Sequence, residues 1–465
     1  MKNRPQSAKA ELSSILDLLP LLLGRRGQGR GGRFLSPTSA IAARFWSAAP
    51  LCRFRAREPR PALRLRPSAF LTRLALSLPL LLSAPLPTNA GPALWLRDEW
   101  VDAATGHRVV RLSRVPGHSE SLYFHQNAFT AAGDKLVFVN TDTEASNRLF
   151  LLDWPTRKCE PITEPGVFGP VVSRHSRKVY YQRQAALYVT DLDTRDTRLI
   201  AQPPFRAAAS TVNADETSLA GTLTEPGGPH IDRSGPKSQW FDKVFDAKRP
   251  QWLYTIDIAT GKTNAFYRYE GWLNHLQFSP SDPGLLMFCH EGPWHKLDRI
   301  WLIRTNGSGL RLMHERSQPM EIAGHEFWSP DGSKIWFDLQ VPRGQKFFLA
   351  SVDVAVGKET RYPIERDQWS VHYNISHDGK LFAGDGGASN MVAHATNGKW
   401  LWLFTPKSDG TLNPERLVNM EKHDYDLEPN VNFTPDGKWI VFRGNFDGTP
   451  QVYAVEVAKA AANAK

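Results

Sequence analysis

Phe433-Thr-Pro-Asp-Gly-Lys-Trp-Ile-Val-Phe442, followed by Gln451-Val-Tyr-Ala-Val455, carries the pattern that decides the fold: an apolar residue, a Thr-Pro-Asp-Gly turn, and two apolar strands in succession. Proline presets such a turn and glycine takes the positive φ that closes it. The pattern returns at Phe278-Ser-Pro-Ser-Asp282, Trp328-Ser-Pro-Asp-Gly332 and Ile375-Ser-His-Asp-Gly379. Weaker copies stand at Phe129-Thr-Ala-Ala-Gly133, Val172-Ser-Arg-His-Ser176 and Val212-Asn-Ala-Asp-Glu216. Hairpins of the type Asp257-Ile-Ala-Thr-Gly-Lys262 separate some of the strands. Repeated units of four short strands read as the blades of a β-propeller. Seven copies predict an all-β, seven-bladed propeller over residues 91–465, with no room for a second domain. A β-solenoid is the alternative, but its rungs are much shorter than these units. His107–Leu112 precedes the first complete repeat and is the candidate strand for closing the ring on the last blade. Residues 224–248, rich in Gly, Pro and Asp, read as a surface excursion, and no sustained helical period occurs.

The chain has 465 residues, 41% hydrophobic and 22% charged, enough to bury a large core. Its net charge of +10 is unevenly placed. Residues 1–90 hold two Lys and 13 Arg against three acidic groups, a net of +12, which leaves −2 for the rest. The propeller is therefore not basic, and composition argues against a nucleic-acid partner. We read residues 1–62 as an Arg-rich extension, disordered or lying upstream of the true start. Residues 63–90 have the form of an export signal: Arg64, Arg66 and Arg73, then the apolar Leu74–Ser83, then small residues up to Ala90. This predicts a periplasmic or secreted protein, and no apolar run is long enough for stable membrane insertion. Cys52, Cys159 and Cys289 form neither a disulfide framework nor a metal motif. Nothing in the sequence sets an oligomeric state.

The strand before each turn is the innermost of its blade, so residues equally far from the turns stand at one level of the channel. Four residues before the Ser or Thr, or its equivalent, the seven copies give Gln126, Gly169, Ala209, His275, His325, His372 and Asn430. The start of each inner strand pairs with the end of the next. One mouth of the channel therefore collects His275, His290, Glu291, His325, His372, Asp385, Glu428 and Asn430, with Gln126 across the closure. A single histidine here reads as packing; three at one repeat position read as a site. Trp272 and Trp369 are aromatic candidates for stacking on a ligand, with core packing the plainer reading of each.

Imidazoles with carboxylate or amide oxygens suit a borderline divalent cation, and neutral His is the usual general base. A polar plug without chemistry, and a Tol-type propeller that binds protein or carbohydrate, stay open at this level. Paired acids for glycoside hydrolysis also stay open, through Glu291, Asp385 and Glu428. No Gly-x-Ser-x-Gly elbow or His-Glu-x-x-His helix occurs.

Tyr123-Phe-His-Gln-Asn-Ala-Phe129, Gly271-Trp-Leu-Asn-His275, Phe288-Cys-His-Glu-Gly-Pro293, His325-Glu-Phe-Trp-Ser-Pro-Asp-Gly332 and Gly384-Asp-Gly386 resemble the oligogalacturonate lyases over most of residues 100–457. The resemblance implies a seven-bladed lyase that cuts short acidic oligosaccharides (uronides) by Mn²⁺-assisted β-elimination to 4,5-unsaturated products. It matches His275 to the base and His325 to a metal ligand, and Arg249 is the nearest candidate for the family's arginine. The family's Gln-x-x-His-x-His string is Tyr425-Asp-Leu-Glu-Pro-Asn430 here, so Glu428 and Asn430 would join His325 and His372 as ligands. His290, Glu291, Asp385 and Gln126 are then the candidates for holding substrate.

Overall fold

The computed structural model describes residues 98–142, 144–202 and 207–460. The Arg-rich extension (1–62), the export segment (63–90) and Cys52 lie outside the described residues. Seven antiparallel sheets follow one another along the chain. Six have four strands each, over 118–161, 167–201, 207–270, 272–312, 322–364 and 373–419. The seventh joins Asn432–Phe433, Trp439–Gly444 and Gln451–Lys459 to His107–Arg111, with Glu99–Val101 at its edge. The ring thus closes through the strand expected from sequence, in register Val109↔Val455, Val110↔Ala454 and Arg111↔Tyr453.

The turn residues do what their chemistry allows. Ser329 Oγ donates to Asp331 Oδ1 (2.6 Å) and accepts the Lys334 N–H (2.9 Å), while Gly332 takes φ +74°. Ser376 with Asp378, and Thr434 with Asp436, repeat the first bond at 2.7 and 2.6 Å. Apolar faces of neighbouring blades then pack together, as Ile300 and Leu302 of the fourth do with Ile335, Phe337 and Leu339 of the fifth. Each such side chain, fully buried, contributes roughly 1.5–3 kcal/mol.

The inner strands are kinked where the channel residues sit. Gly169, His275, His325 and Asn430 are left-handed, at φ +60°, +52°, +48° and +54°. Ladder register breaks across the first three, between Phe168 and Val171, Asn274 and Gln277, and Gly324 and Phe327. Such a bulge re-aims a side chain.

Two regions depart from expectation. In the first blade the stretch before the turn is no strand. Tyr123-Phe124-His125 leaves the sheet and fills the channel: Phe124, fully buried, donates its N–H to Asn430 Oδ1 (3.1 Å), and its carbonyl accepts from Asn374 Nδ2 (2.8 Å). The excursion at 224–248 contains a ten-residue helix, α1 (Lys237–Asp246). Trp240, Phe241, Val244 and Phe245 give it one apolar stripe, a helical signal too short to stand out between flanking Gly and Pro. No helix among the described residues is long and apolar enough to cross a membrane.

Candidate active site

The channel face is organised around a buried arginine. Arg299 donates from Nη1 to Glu291 Oε1 (2.7 Å) and from Nε to Glu326 Oε2 (3.0 Å), with all three side chains at most 2% exposed. Glu291 is further held by Trp294 Nε1 (3.0 Å), the Gly292 N–H (3.1 Å) and Asn274 Nδ2 (3.3 Å). Burial pushes the Glu291 carboxyl up, but the guanidinium overrides it and holds the group well below the usual carboxylate range. The other Glu326 oxygen lies 3.4 Å from His275 Nδ1.

The three repeat-position histidines are brought together, each on a different footing. His275 touches the rings of Tyr123 and His125, with centroids 5.8 Å apart in both cases. Burial and the nearby Arg299 charge keep it neutral, well below the ordinary histidine range. His325 Nδ1 is 2.9 Å from Asp338 Oδ1, and its ring meets that of His372 edge-on at 4.5 Å. Burial, then the charges of His372 and Arg299, also hold His325 neutral. Burial raises Asp338 to about 7. His372 differs: burial lowers it, yet Asp385 and Glu428 together raise it. Its Nδ1 is 2.7 Å from Asp385 Oδ2, its Nε2 is 3.7 Å from Glu428 Oε2, and Phe124 stacks on its ring at 4.7 Å.

Other residues expected at the site are occupied. Asp385 accepts the His372 N–H at Oδ1 (2.8 Å) and the Asn430 N–H at Oδ2 (3.2 Å), so it positions His372 rather than facing a ligand. Asn430 Oδ1 accepts the Phe124 N–H and its Nδ2 donates to the Glu428 carbonyl (3.0 Å), so neither amide atom stands open to a metal ion. Glu291 is likewise saturated. Gln126 Oε1 accepts the Tyr123 N–H (3.2 Å) and so braces the plug. His290 stacks flat on Tyr269 at 3.9 Å and lies against Trp301, between blades, because it alternates with Glu291 along its strand. Arg249 donates to the Glu225 and Gly227 carbonyls (3.2 and 2.7 Å), tying the excursion, while Arg299 supplies the guanidinium in the cluster. Trp369 is core, 5% exposed and packed near Phe347.

Sequence reasoning missed Arg299, Glu326, Asp338 and the Tyr123–His125 plug. Asp338 had a signal: a lone carboxylate in the apolar run Ile335-Trp-Phe-Asp-Leu339, at the strand end where Asp385 sits one blade later. Arg299 had only its position before an apolar strand. Seven buried polar atoms of this linked cluster have no hydrogen-bond partner: Tyr123 Oη, His275 Nδ1, Arg299 Nη2, Glu326 Oε1, Asp338 Oδ2, His372 Nε2 and Glu428 Oε2. Beyond the plug, a cavity of about 150 Å³ lies among the Ser-Pro turns, lined by His125, Asn213, Ser279, Asn374 and Asn432.

Comparison with known proteins agrees in family. The curated oligogalacturonate lyase of Dickeya dadantii is 29% identical over 376 residues, covering 77% of this chain and 95% of that protein. The oligogalacturonide lyase of Pectobacterium atrosepticum is 26% identical over 380 residues, again 77% of this chain and 95% of its length. Among solved structures, an oligogalacturonate lyase in complex with manganese is 27% identical with a TM-score of 0.67, covering 78% of this chain and 96% of that one. The Vibrio parahaemolyticus oligogalacturonate lyase is 25% identical with a TM-score of 0.66, over 78% and 96% of the two chains. The family model described as Oligogalacturonate lyase matches residues 96–461, and the chain belongs to that family.

Proposed function

We propose that the protein cleaves short oligogalacturonides by β-elimination in this cluster. The observation that carries the reading is the gathering of unpartnered buried polar atoms around neutral imidazoles. Protein interiors leave few such groups unsatisfied, so seven together mark a place for a polar ligand.

A divalent cation fits at one point. His372 Nε2 and Glu428 Oε2, both unpartnered, stand 3.7 Å apart, and these two would hold it. An imidazole with a carboxylate suits Mn²⁺ or Zn²⁺. Among the described residues no third His, Cys, Asp or Glu completes a ligand set. An ion bound there supplies positive charge to the substrate carboxylate as negative charge grows on it.

The protein's own groups do the rest. In a 4-linked uronide the C5 proton is acidified by the adjacent carboxylate. His325, fixed through Nδ1 by Asp338 and beside His372, offers Nε2 to that proton. The C5–H electron pair becomes the C4=C5 double bond, the C4–O bond breaks, and the leaving oxygen takes a proton from water. Arg299 Nη2 adds a fixed positive charge to the same face. On this reading the base role goes to His325 in place of His275, and the ligand role to His372 and Glu428. His275, also neutral, is the second candidate base.

Incubation with trigalacturonate and Mn²⁺ should build the ultraviolet absorbance of an unsaturated uronate, and a chelator should stop it. His325→Gln should cost about 10²–10⁴-fold in turnover while the protein still binds Mn²⁺ by calorimetry; His372→Gln and Glu428→Gln should lose the ion. A His275→Gln variant that alone loses turnover would move the base to His275. No product from any oligouronide, with tight capture of a protein partner, would favour the Tol-type reading. Residues 63–90 would deliver the propeller to the periplasm or beyond; N-terminal sequencing of exported protein that found residues 1–60 still attached would refute that.

A further inference from the structure

Helix α1 is placed against the site by two contacts. Trp240 and Phe241 pack on Trp272 at 6.2 and 5.4 Å, and Trp272 pairs directly with Glu291. At the other end of the same turn, a Cβ on Gly292 would come within 2.3 Å of the Phe245 ring. The helix therefore sits on the strand ends that carry His275 and Glu291. Its first residue, Lys237, is half-buried, with Nζ 4.8 Å over the Phe241 ring. No carboxylate of the described residues lies within ion-pair distance of that ammonium. Its charge nevertheless reaches the cluster, since it helps to lower Glu291, His275 and His325. Arg233 lies beside it, 5.3 and 5.2 Å over the rings of Trp240 and Trp272.

A half-buried cation without a counter-ion, next to an aromatic ledge at a site for polyanionic sugars, calls for an anion. We infer that Lys237 binds the carboxylate of the uronate next to the one that reacts, with Trp240 and Trp272 forming the wall on which that sugar rests. The excursion is then a subsite that selects for a second charged sugar. This rests on the oligouronide reading above and adds to it a specificity-determining residue.

The test compares wild type, Lys237→Gln and Lys237→Arg on trigalacturonate, with KM and kcat measured separately and affinity read independently by calorimetry. Lys237→Gln should raise KM and weaken binding by about 10- to 100-fold, the loss of one charge-assisted hydrogen bond, with kcat within about twofold. Lys237→Arg should restore most of it. The penalty should shrink severalfold on a trigalacturonate methyl-esterified at the other sugars, which carries no second carboxylate. Lys243→Gln, exposed on the last turn of the same helix, controls for helix stability and should change nothing. An unchanged affinity in Lys237→Gln, or an equal loss with the esterified sugar, would overturn the inference. If wild type binds trigalacturonate without cleaving it, the lyase reading fails and the affinity ratio alone decides Lys237. If wild type does not bind, both fail.

Discussion

In the second blade the kink of the inner strand is occupied by Gly169 at φ +60°, and the third blade has Ala209 at the matching position. The fourth, fifth and seventh blades put His275, His325 and Asn430 on the same kind of kink, at φ +52°, +48° and +54°. The left-handed kink is thus shared by a scaffold blade and three site blades, though not by Ala209 or His372, and it is the side chain on it that distinguishes the site. One half of the ring is scaffold, tolerant of a bare backbone in the channel. The other spends the same geometry on imidazoles, buried acids and an arginine, and accepts strain and desolvation that the scaffold avoids.

The comparison is sharpest for arginines. Arg299 joins two buried carboxylates in the fourth and fifth blades, whereas Arg177 joins Asp134 and Asp193 with side chains 32 to 48% exposed. Removing one partner from a buried pair leaves charge uncompensated, so Arg299→Met should cost about 3–5 kcal/mol and abolish turnover. Arg177→Met, with solvent screening its partners, should cost no more than about 1 kcal/mol. Urea unfolding of the two variants measures the contrast, and similar losses would end the division into halves.

Histidines outside the channel give the next effect. His290, stacked on Tyr269, and His423, whose Nε2 is 2.7 Å from the Leu427 carbonyl, are each lowered to about 4 by burial. In the unfolded chain an imidazole titrates near 6.5. Between these values the unfolded state takes up protons that the folded state refuses, so the stability these two histidines contribute should be full above about pH 6.5 and fall as the pH drops toward 4. His290→Phe should flatten part of that slope without altering stability at pH 7.5 by more than packing allows. The same slope of urea midpoint against pH, from 7 to 4.5, in wild type and His290→Phe would contradict it.

What could be read in advance follows the same line. Seven turns, their Ser-Pro-Asp-Gly chemistry and the closing strand were legible because they are local and repeated. The three histidines were legible because a repeat position aligns them without knowledge of packing. Arg299 and Glu326 were not, since their meaning arises only when strand ends of two blades meet. The partners of Asp385, Glu291 and Asn430 were hidden for a related reason: level in the channel says which residues gather, but not which are already bonded to one another. The Tyr123–His125 plug escaped because the first repeat keeps its turn while losing the strand before it.

The smallest effect is the most direct test of whether kink and side chain are separable. Gly169 holds a left-handed conformation in which any L side chain is strained, so Gly169→Ala should destabilise by about 1 kcal/mol with turnover intact. His325→Gly runs the other way. It relieves the backbone at φ +48° but removes an imidazole bonded to Asp338, so its net change in stability should lie within about 1 kcal/mol of zero while turnover collapses. Equilibrium unfolding and turnover on trigalacturonate, measured side by side, place each variant on its own axis. Loss of turnover in Gly169→Ala would show that the scaffold half also shapes the chemistry, and retained turnover in His325→Gly would leave the kink without a functional occupant.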